Sequence, residues 1–218
     1  PHPRHPPPFL RLGAYLQERL RGEPAESLNR TARALALDAT ARRLLARGSR
    51  AEKLLAVLAA GHLRDAHAWD ALVALARSSD GLLSVHAVRA LVRIHPVRAA
   101  NGLLPLLVTR EDWDLGRVAG FLGEAQQAFW LLMAKVLPRL SDDQLPRALT
   151  LAEALRMQLP DRTLARLLDP ARPPRVLEAA LRLAHSLALA AQVRSCLLNA
   201  HPAVRAQAAR QMAALATP

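Results

Sequence analysis

Three stretches hold polar side chains densely enough for chemistry. "GHLRDAHAW" carries His62, Asp65 and His67, donor types that bind a divalent cation when a fold brings them together. "EDWDLGR" places Glu111, Asp112, Trp113, Asp114 and Arg117 within seven residues, so carboxylates, an aromatic face and a cation lie side by side. Trp69, Asp70 and Trp130 are candidates for the same side. "PHPRHPPP" adds His2 and His5 on a proline tail, where two ligands hold a metal only adventitiously. The other histidines, His86, His95, His185 and His201, are dispersed and form no ligand set. Neither a glycine-rich phosphate loop nor a nucleophile elbow occurs. For "EDWD" a plainer account exists: acidic residues favour the first turn of a helix, and the tryptophan packs across the gap before it. No catalytic residue, cofactor-binding residue, cofactor or metal ligand is therefore assigned.

Which of these side chains meet depends on the elements that carry them, and composition narrows those. Of 218 residues, 51% are hydrophobic and only 3% aromatic, and the apolar share is mostly Ala, Leu and Val, a mix that favours helix over strand. An all-α chain with a substantial core is expected. The single cysteine, Cys196, excludes an internal disulfide or a thiolate zinc site and reads as a small core residue. Apolar runs are broken by Glu124, Lys135, His185 or Arg194 before they reach the ~18 residues of a membrane span, so a soluble, cytoplasmic chain is expected. Because the sequence begins at Pro1 rather than Met, it reads as a piece of a longer protein.

The formal charge is +12, with the excess at the two ends: ten basic and four acidic residues in 1–50, eleven and ten in 51–150, nine and four in 151–218. A strongly basic chain invites a nucleic-acid reading. Against it, 28 of the 30 basic residues are Arg, which beside abundant Ala and Leu fits the bias of a GC-rich genome, and aromatic residues are too few for a stacking platform.

Residues 1–8 form a stiff proline-rich linker. A three-helix cap is expected over 9–48: a helix with Phe9, Leu12, Leu16 and Leu20 on one face, a second over Glu26 to Leu37, and a third N-capped by Asp38 and ending at Gly48. Over 49–218, short helices follow in close succession, with an irregular middle at about 110–160. "SRAE" from Ser49 and "SDDQ" from Ser141 read as capping boxes, the latter opening a helix over Asp142 to Leu159.

An internal repeat organises this part. "LLNAHPAVRAQAARQMAAL" from Leu197 and "LLDPARPPRVLEAALRLA" from Leu167 both start with paired leucines, cross a proline turn and enter a helix on Val204 or Val176, 28 residues apart. "LVALARSSDGLLSVHAVRALVRI" from Leu72 is a looser copy with Asp80 at its turn.

These copies resemble the HEAT repeat, particularly the bacterial type related to phycobilisome-lyase repeats, over residues 44–96 and 164–216. The resemblance implies a right-handed α-solenoid of HEAT-type antiparallel helix pairs. It puts "GHLRDAHAW" at a turn between repeats, with His62 and His67 facing solvent or capping that turn. It also implies that Ala203, Ala206, Ala209 and Ala213 allow close helix approach, that Val204, Ala208 and Leu215 face the neighbouring repeat, and that Arg205 reaches Asp169. Second helices of such pairs line a concave face, which nominates Arg89, Arg93, Arg182 and Arg210 for partner binding, with Trp113 and Trp130 from the irregular middle. "AEKLLAVLAAGHLRDAHAWDALVAL" is similar to the opening of the repeat array in proteins of bacterial envelope polysaccharide clusters, where a membrane helix absent from this sequence precedes the repeats.

The function expected is a non-catalytic scaffold for a protein partner, in an envelope polysaccharide synthesis or export assembly at the cytoplasmic face of the inner membrane. The first alternative is a nucleic-acid binder or HEAT-like DNA glycosylase, using Arg42, Arg43, Arg47 and Arg50 or Arg172, Arg175, Arg182, Arg205 and Arg210; the "EDWDLGR" spacing departs from that enzyme pattern. The second is a lyase or chromophore-maturation factor, for which no pocket motif is found.

Overall fold

The structure, a computed structural model, describes residues 8–216. These are all-helical, with no strand among them: α1 (Pro8–Arg19), α2 (Glu23–Ala34), α3 (Leu37–Arg47), α4 (Arg50–His62), α5 (Trp69–Ala76), α6 (Gly81–Ile94), α7 (Pro96–Thr109), α8 (Leu115–Leu122), α9 (Gln126–Val136), α10 (Leu145–Ala154), α11 (Asp161–Leu167), α12 (Pro174–Leu183), α13 (Ala190–Cys196) and α14 (Pro202–Ala216). The chain divides into two compact units within α7, between Leu103 and Leu104.

Short polar signals start and stop these helices. Ser49 accepts from the Glu52 amide while the Glu52 carboxylate takes the Ser49 amide, closing the expected capping box of α4. Asp80 accepts from the Leu82 and Leu83 amides at the start of α6, and Asp114 from the Arg117 amide at the start of α8. Two helix ends use the same device with an unusual residue. After α4, Arg64 takes φ +50°, its amide bonding Gly61 O and the Asp65 amide bonding Ala60 O. After α10, Arg156 takes φ +52°, with matching bonds from Arg156 to Glu153 O and from Met157 to Ala152 O. Both are left-handed C-terminal turns that usually employ glycine.

Three expected boundaries differ. Asp38 is not an N-cap: Ala36 takes that place at φ 51°, and Asp38 lies inside the first turn of α3, paired with Arg42 at 3.3 Å. "SDDQ" makes no capping box, because the amides of Gln144 and Leu145 both bond Ser141 O in a tight turn, and α10 starts at Leu145 with Pro146 behind it. The Arg156 turn ends α10 at Ala154, leaving residues up to Pro160 non-helical.

In the first unit α4 packs between α3 and α6, α5 lies against α6, and α1 lies on α4. Their shared core is small-residue rich: Ala41, Ala56, Val57, Ala60, Leu72, Ala87, Val88 and Leu91 are fully buried. The α4 to α6 crossing is closest at Gly61, where a Cβ would stand 2.9 Å from Ala90 Cα and 3.0 Å from Ala90 Cβ. In the second unit α10, α12 and α14 contact in succession, with α8 against α10, α11 against α12 and α13 against α14. Phe129, Met133, Leu149, Val176, Leu177, Val193, Val204 and Ala208 fill its core. Helix α14 buries only Val204, Ala208 and Gln211; Ala203, Ala206, Ala209 and Ala213, expected at close helix contacts, are exposed on its other side, and Leu215 is half-buried.

Gly61→Ala is expected to lower unfolding free energy by ~1–3 kcal/mol, because the opposing atom is backbone that cannot move aside. Gly102→Ala, a helical position with nothing near its Cβ, is expected to raise it by ~0.5–1 kcal/mol. Urea unfolding of the two variants checks both signs.

Candidate functional site

The first unit gathers its chemistry at the end of α4. His62 is the last residue of that helix, and Arg89 and Arg93 lie one turn apart on the facing side of α6. From α1, Glu18 reaches between them. Its Oε1 lies 3.0 Å from His62 Nε2 and 3.1 Å from Arg89 Nη1, and its Oε2 accepts from Arg89 Nη2 at 3.1 Å. Arg93 Nη1 lies 3.0 Å from His62 Nδ1 and 3.4 Å from Nε2.

These contacts assign the imidazole. An ionised carboxylate only accepts, so Nε2 carries the proton given to Glu18 and Nδ1 is the acceptor left for Arg93. The His62 side chain is 6% exposed, and burial beside Arg93 pulls its pKa from the ordinary 6.5 to about 4, with Glu18 opposing the shift. Burial alone would raise the Glu18 carboxyl, but Arg89, assisted by His62 and Arg93, holds it below its usual value. The result is a neutral, uniquely oriented imidazole in a chain Arg93 to His62 to Glu18, with Arg89 closing it. Beneath it, Asn29 Nδ2 donates to His62 O at 3.2 Å, and buried Gln17 donates to Asn29 Oδ1 at 2.6 Å. A small cavity of about 20 Å³ lined by Leu10, Gln17, Asn29, Ala59 and Leu63 lies on one side of the ring.

The expected solvent-facing or turn-capping place for His62 is thus corrected: its ring turns inward to α1 and α6. Asp65 instead pairs with Arg42 at 2.6 Å and caps the His67 amide, leaving the His67 ring exposed. Among the described residues no three His, Cys, Asp or Glu side chains converge as a metal site, and His2 and His5 lie outside the described residues. Trp69 is buried, with Arg98 stacked 4.2 Å from its ring centre.

In the second unit the nominated residues do not come together. Arg182 donates to Glu153 Oε2 at 2.7 Å and to Thr150 at 3.1 Å. Arg210, exposed on α14, bonds Gln207. Trp113 is 2% exposed, so the partner-binding place given to it is corrected: Asp114 caps α8, Arg110 lies over the indole and pairs with Asp112, and the ring fills the gap before the helix. Trp130, 44% exposed, stays at the surface with its Nε1–H donated to Gln158 O. Arg205 bonds Asn199 O and Ala200 O, and Asp169 caps the Ala171 amide, so the expected pair between them is not made. Other pairs tie successive segments instead, Arg50 with Asp80 and Arg172 with Asp142. Cys196 is buried, and burial raises its thiol pKa.

Sequence reasoning missed Glu18, which lies 44 residues from His62, and Arg147, whose guanidinium donates to Leu107 O and Trp113 O. No local signal marks either. No described helix is long and apolar enough to cross a membrane. Compared with models of protein families, with curated proteins and with solved structures, the chain matches none.

The buried imidazole makes stability pH-dependent. Since the folded pKa lies near 4 and the unfolded one at 6.5, the unfolded chain takes the proton first. Stability from this site is complete above the unfolded value and is lost as pH falls toward the folded one. The Tm is expected to drop more steeply from neutral pH to mildly acidic pH in the parent than in His62→Gln, whose amide can both accept from Arg93 and donate to Glu18. Parallel melting profiles would refute the assignment.

Proposed function

We propose that this chain is a scaffold of the HEAT-repeat type, a right-handed solenoid of antiparallel helix pairs that binds a protein partner without catalysis. The observation that carries this reading is a recurring register. In each unit, side chains satisfy backbone or carboxylate groups close to 30 residues away: Arg33 with Leu63 O and Arg50 with Asp80 at separations of 30, Gln126 with Leu155 O and Arg182 with Glu153 at 29, Gln211 with Ala184 O at 27. That spacing agrees with the 28 residues between Val176 and Val204. The contacts of α4 with α6, and of α10, α12 and α14 in turn, fit a stack of helix pairs.

The four arginines nominated for partner binding are each engaged within the fold. Arg89 and Arg182 already hold carboxylates, Arg93 contacts His62, and Arg210 contacts Gln207. The exposed large apolar side chains, including Phe9, Leu12, Leu82, Trp130 and Leu131, are the kind of surface a protein partner covers. The resemblance of Ala51–Leu75 to envelope polysaccharide cluster proteins directs the search for that partner to the cytoplasmic face of the inner membrane.

A photoreactive residue at Leu82 or Leu131 is expected to crosslink one discrete protein in native extract, and the purified chain is expected not to bind labelled DNA at roughly 50 mM salt. Absence of an adduct overturns the scaffold reading. So does saturable duplex binding that weakens by about a thousandfold between roughly 50 and 200 mM salt, which would assign the chain to the nucleic-acid class.

A further inference from the structure

We propose that the depression beside Trp130 binds a short oligosaccharide, with the indole face as its stacking platform and Arg156 selecting acidic sugars. Gln126, Gln127, Trp130, Arg156, Met157 and Gln158 line an open hollow of about 310 Å³. This is at the lower end of the ~300–1,000 Å³ range of small-molecule sites. The inference goes beyond the scaffold reading and does not depend on it.

The platform is fixed. Trp130 Nε1–H donates to Gln158 O at 3.2 Å, and Gln126 Nε2 donates to Leu155 O at 2.7 Å, so two bonds hold the segment after α10 against α9. With its N–H already committed, the indole offers a ligand its π face rather than its polar edge. It does so while 44% exposed, although the neighbouring Phe129 and Met133 are fully buried in the core. An electron-rich ring face attracts positively polarised hydrogens, and the C–H side of a pyranose presents a flat array of them.

The rim matches hydroxyl groups. Among the described residues the side chains of Gln127, Gln158 and Arg156 have no hydrogen-bond partner within the fold, and Gln126 keeps its Oε1 as an acceptor. Amides donate and accept, as each sugar hydroxyl does, whereas a guanidinium only donates. No carboxylate lines the hollow, and Arg156 is its one charged lining residue among those described. It lines the hollow from the left-handed turn that ends α10. A carboxylate-bearing sugar therefore gains a charge-assisted bond there that a neutral one lacks.

The test titrates the full chain with cellotetraose and with tetragalacturonate, following the indole N–H signals by NMR and the heat by calorimetry. Saturable binding of both is expected, tighter for the galacturonate, with the Trp130 signal moving and those of Trp69 and Trp113 still. Trp130→Ala should weaken both sugars by about tenfold or more. Arg156→Gly, which suits the left-handed turn, should abolish only the preference for the acidic sugar. Melting curves establish that both variants fold, and Gln127→Ala, outside the loop-holding bonds, should weaken binding without altering the melt. The proposal is overturned if neither sugar moves the Trp130 signal at millimolar concentration, if Arg156→Gly and Gln127→Ala bind like the parent, or if a proline-rich peptide moves that signal and the sugars do not.

Discussion

Every helix ends with carbonyls that its own amides cannot reach, and a fold made of helices only 7 to 15 residues long has many such ends close to its core. The rest of this structure depends on how they are satisfied. Side chains of neighbouring helices take them: Asn29 and Arg33 hold His62 O and Leu63 O at the end of α4, Gln126 holds Leu155 O after α10, Gln211 holds Ala184 O after α12, and Arg147 holds Leu107 O in the last turn of α7. Buried carbonyls left open would each cost on the order of 1–3 kcal/mol. Alanine and leucine interfaces supply the adhesion, with steric fit such as Gly61 against Ala90 limiting how the helices sit. The polar ties supply the register.

Arginine is suited to this role because its planar fork donates in several directions at once. Arg147 uses Nε for Leu107 O and Nη2 for Trp113 O, fastening the turn before α8 as well as the end of α7. Burial lowers the Arg147 pKa, with Glu111 and Asp112 offsetting the effect. Arg33 and Arg182 likewise serve the packing. These bonds occupy guanidinium donors but leave the formal charge of +12 unchanged, since that figure already subtracts every carboxylate. The arginine bias that composition alone leaves ambiguous acquires a structural use.

Much of the helix order is legible in the sequence. The "SRAE" box, the turn Asp80 and the start of α8 after "EDWD" all lie where local chemistry places them, because a cap needs only residues three or four positions apart. The misplaced boundaries share a physical origin. Arg64, Ala36 and Arg156 adopt positive φ without being glycine, so the sequence carries no mark of the turn that ends α10 or displaces Asp38. The site was less legible still. Arg89 and Arg93 show on the α6 face by their spacing, but the residue that joins them to His62 is a glutamate 44 positions from that histidine, in a helix whose acidic content reads as ordinary surface. Ala203, Ala206, Ala209 and Ala213 of α14 differ in another way: among the described residues they are exposed, and Val204, Ala208 and Gln211 make the buried side.

The contrast between His62 and Trp130 shows how burial divides roles in this chain. An imidazole flanked by two guanidiniums and a carboxylate has the ingredients of a proton-transfer site. Yet both ring nitrogens are engaged by the fold, one accepting from Arg93 and one donating to Glu18, and its low pKa follows from the same enclosure. Its product is attachment: α1, which also packs on α2 and α3, is tied to α4 and α6 through Glu18, His62, Arg89 and Arg93. Trp130 is the converse case. One hydrogen bond orients it and it remains 44% exposed, outside the fully buried core formed by Phe129 and Met133. Water satisfies the amides beside it, so this surface stands open at little cost and its use is decided by what can bind there rather than by the fold.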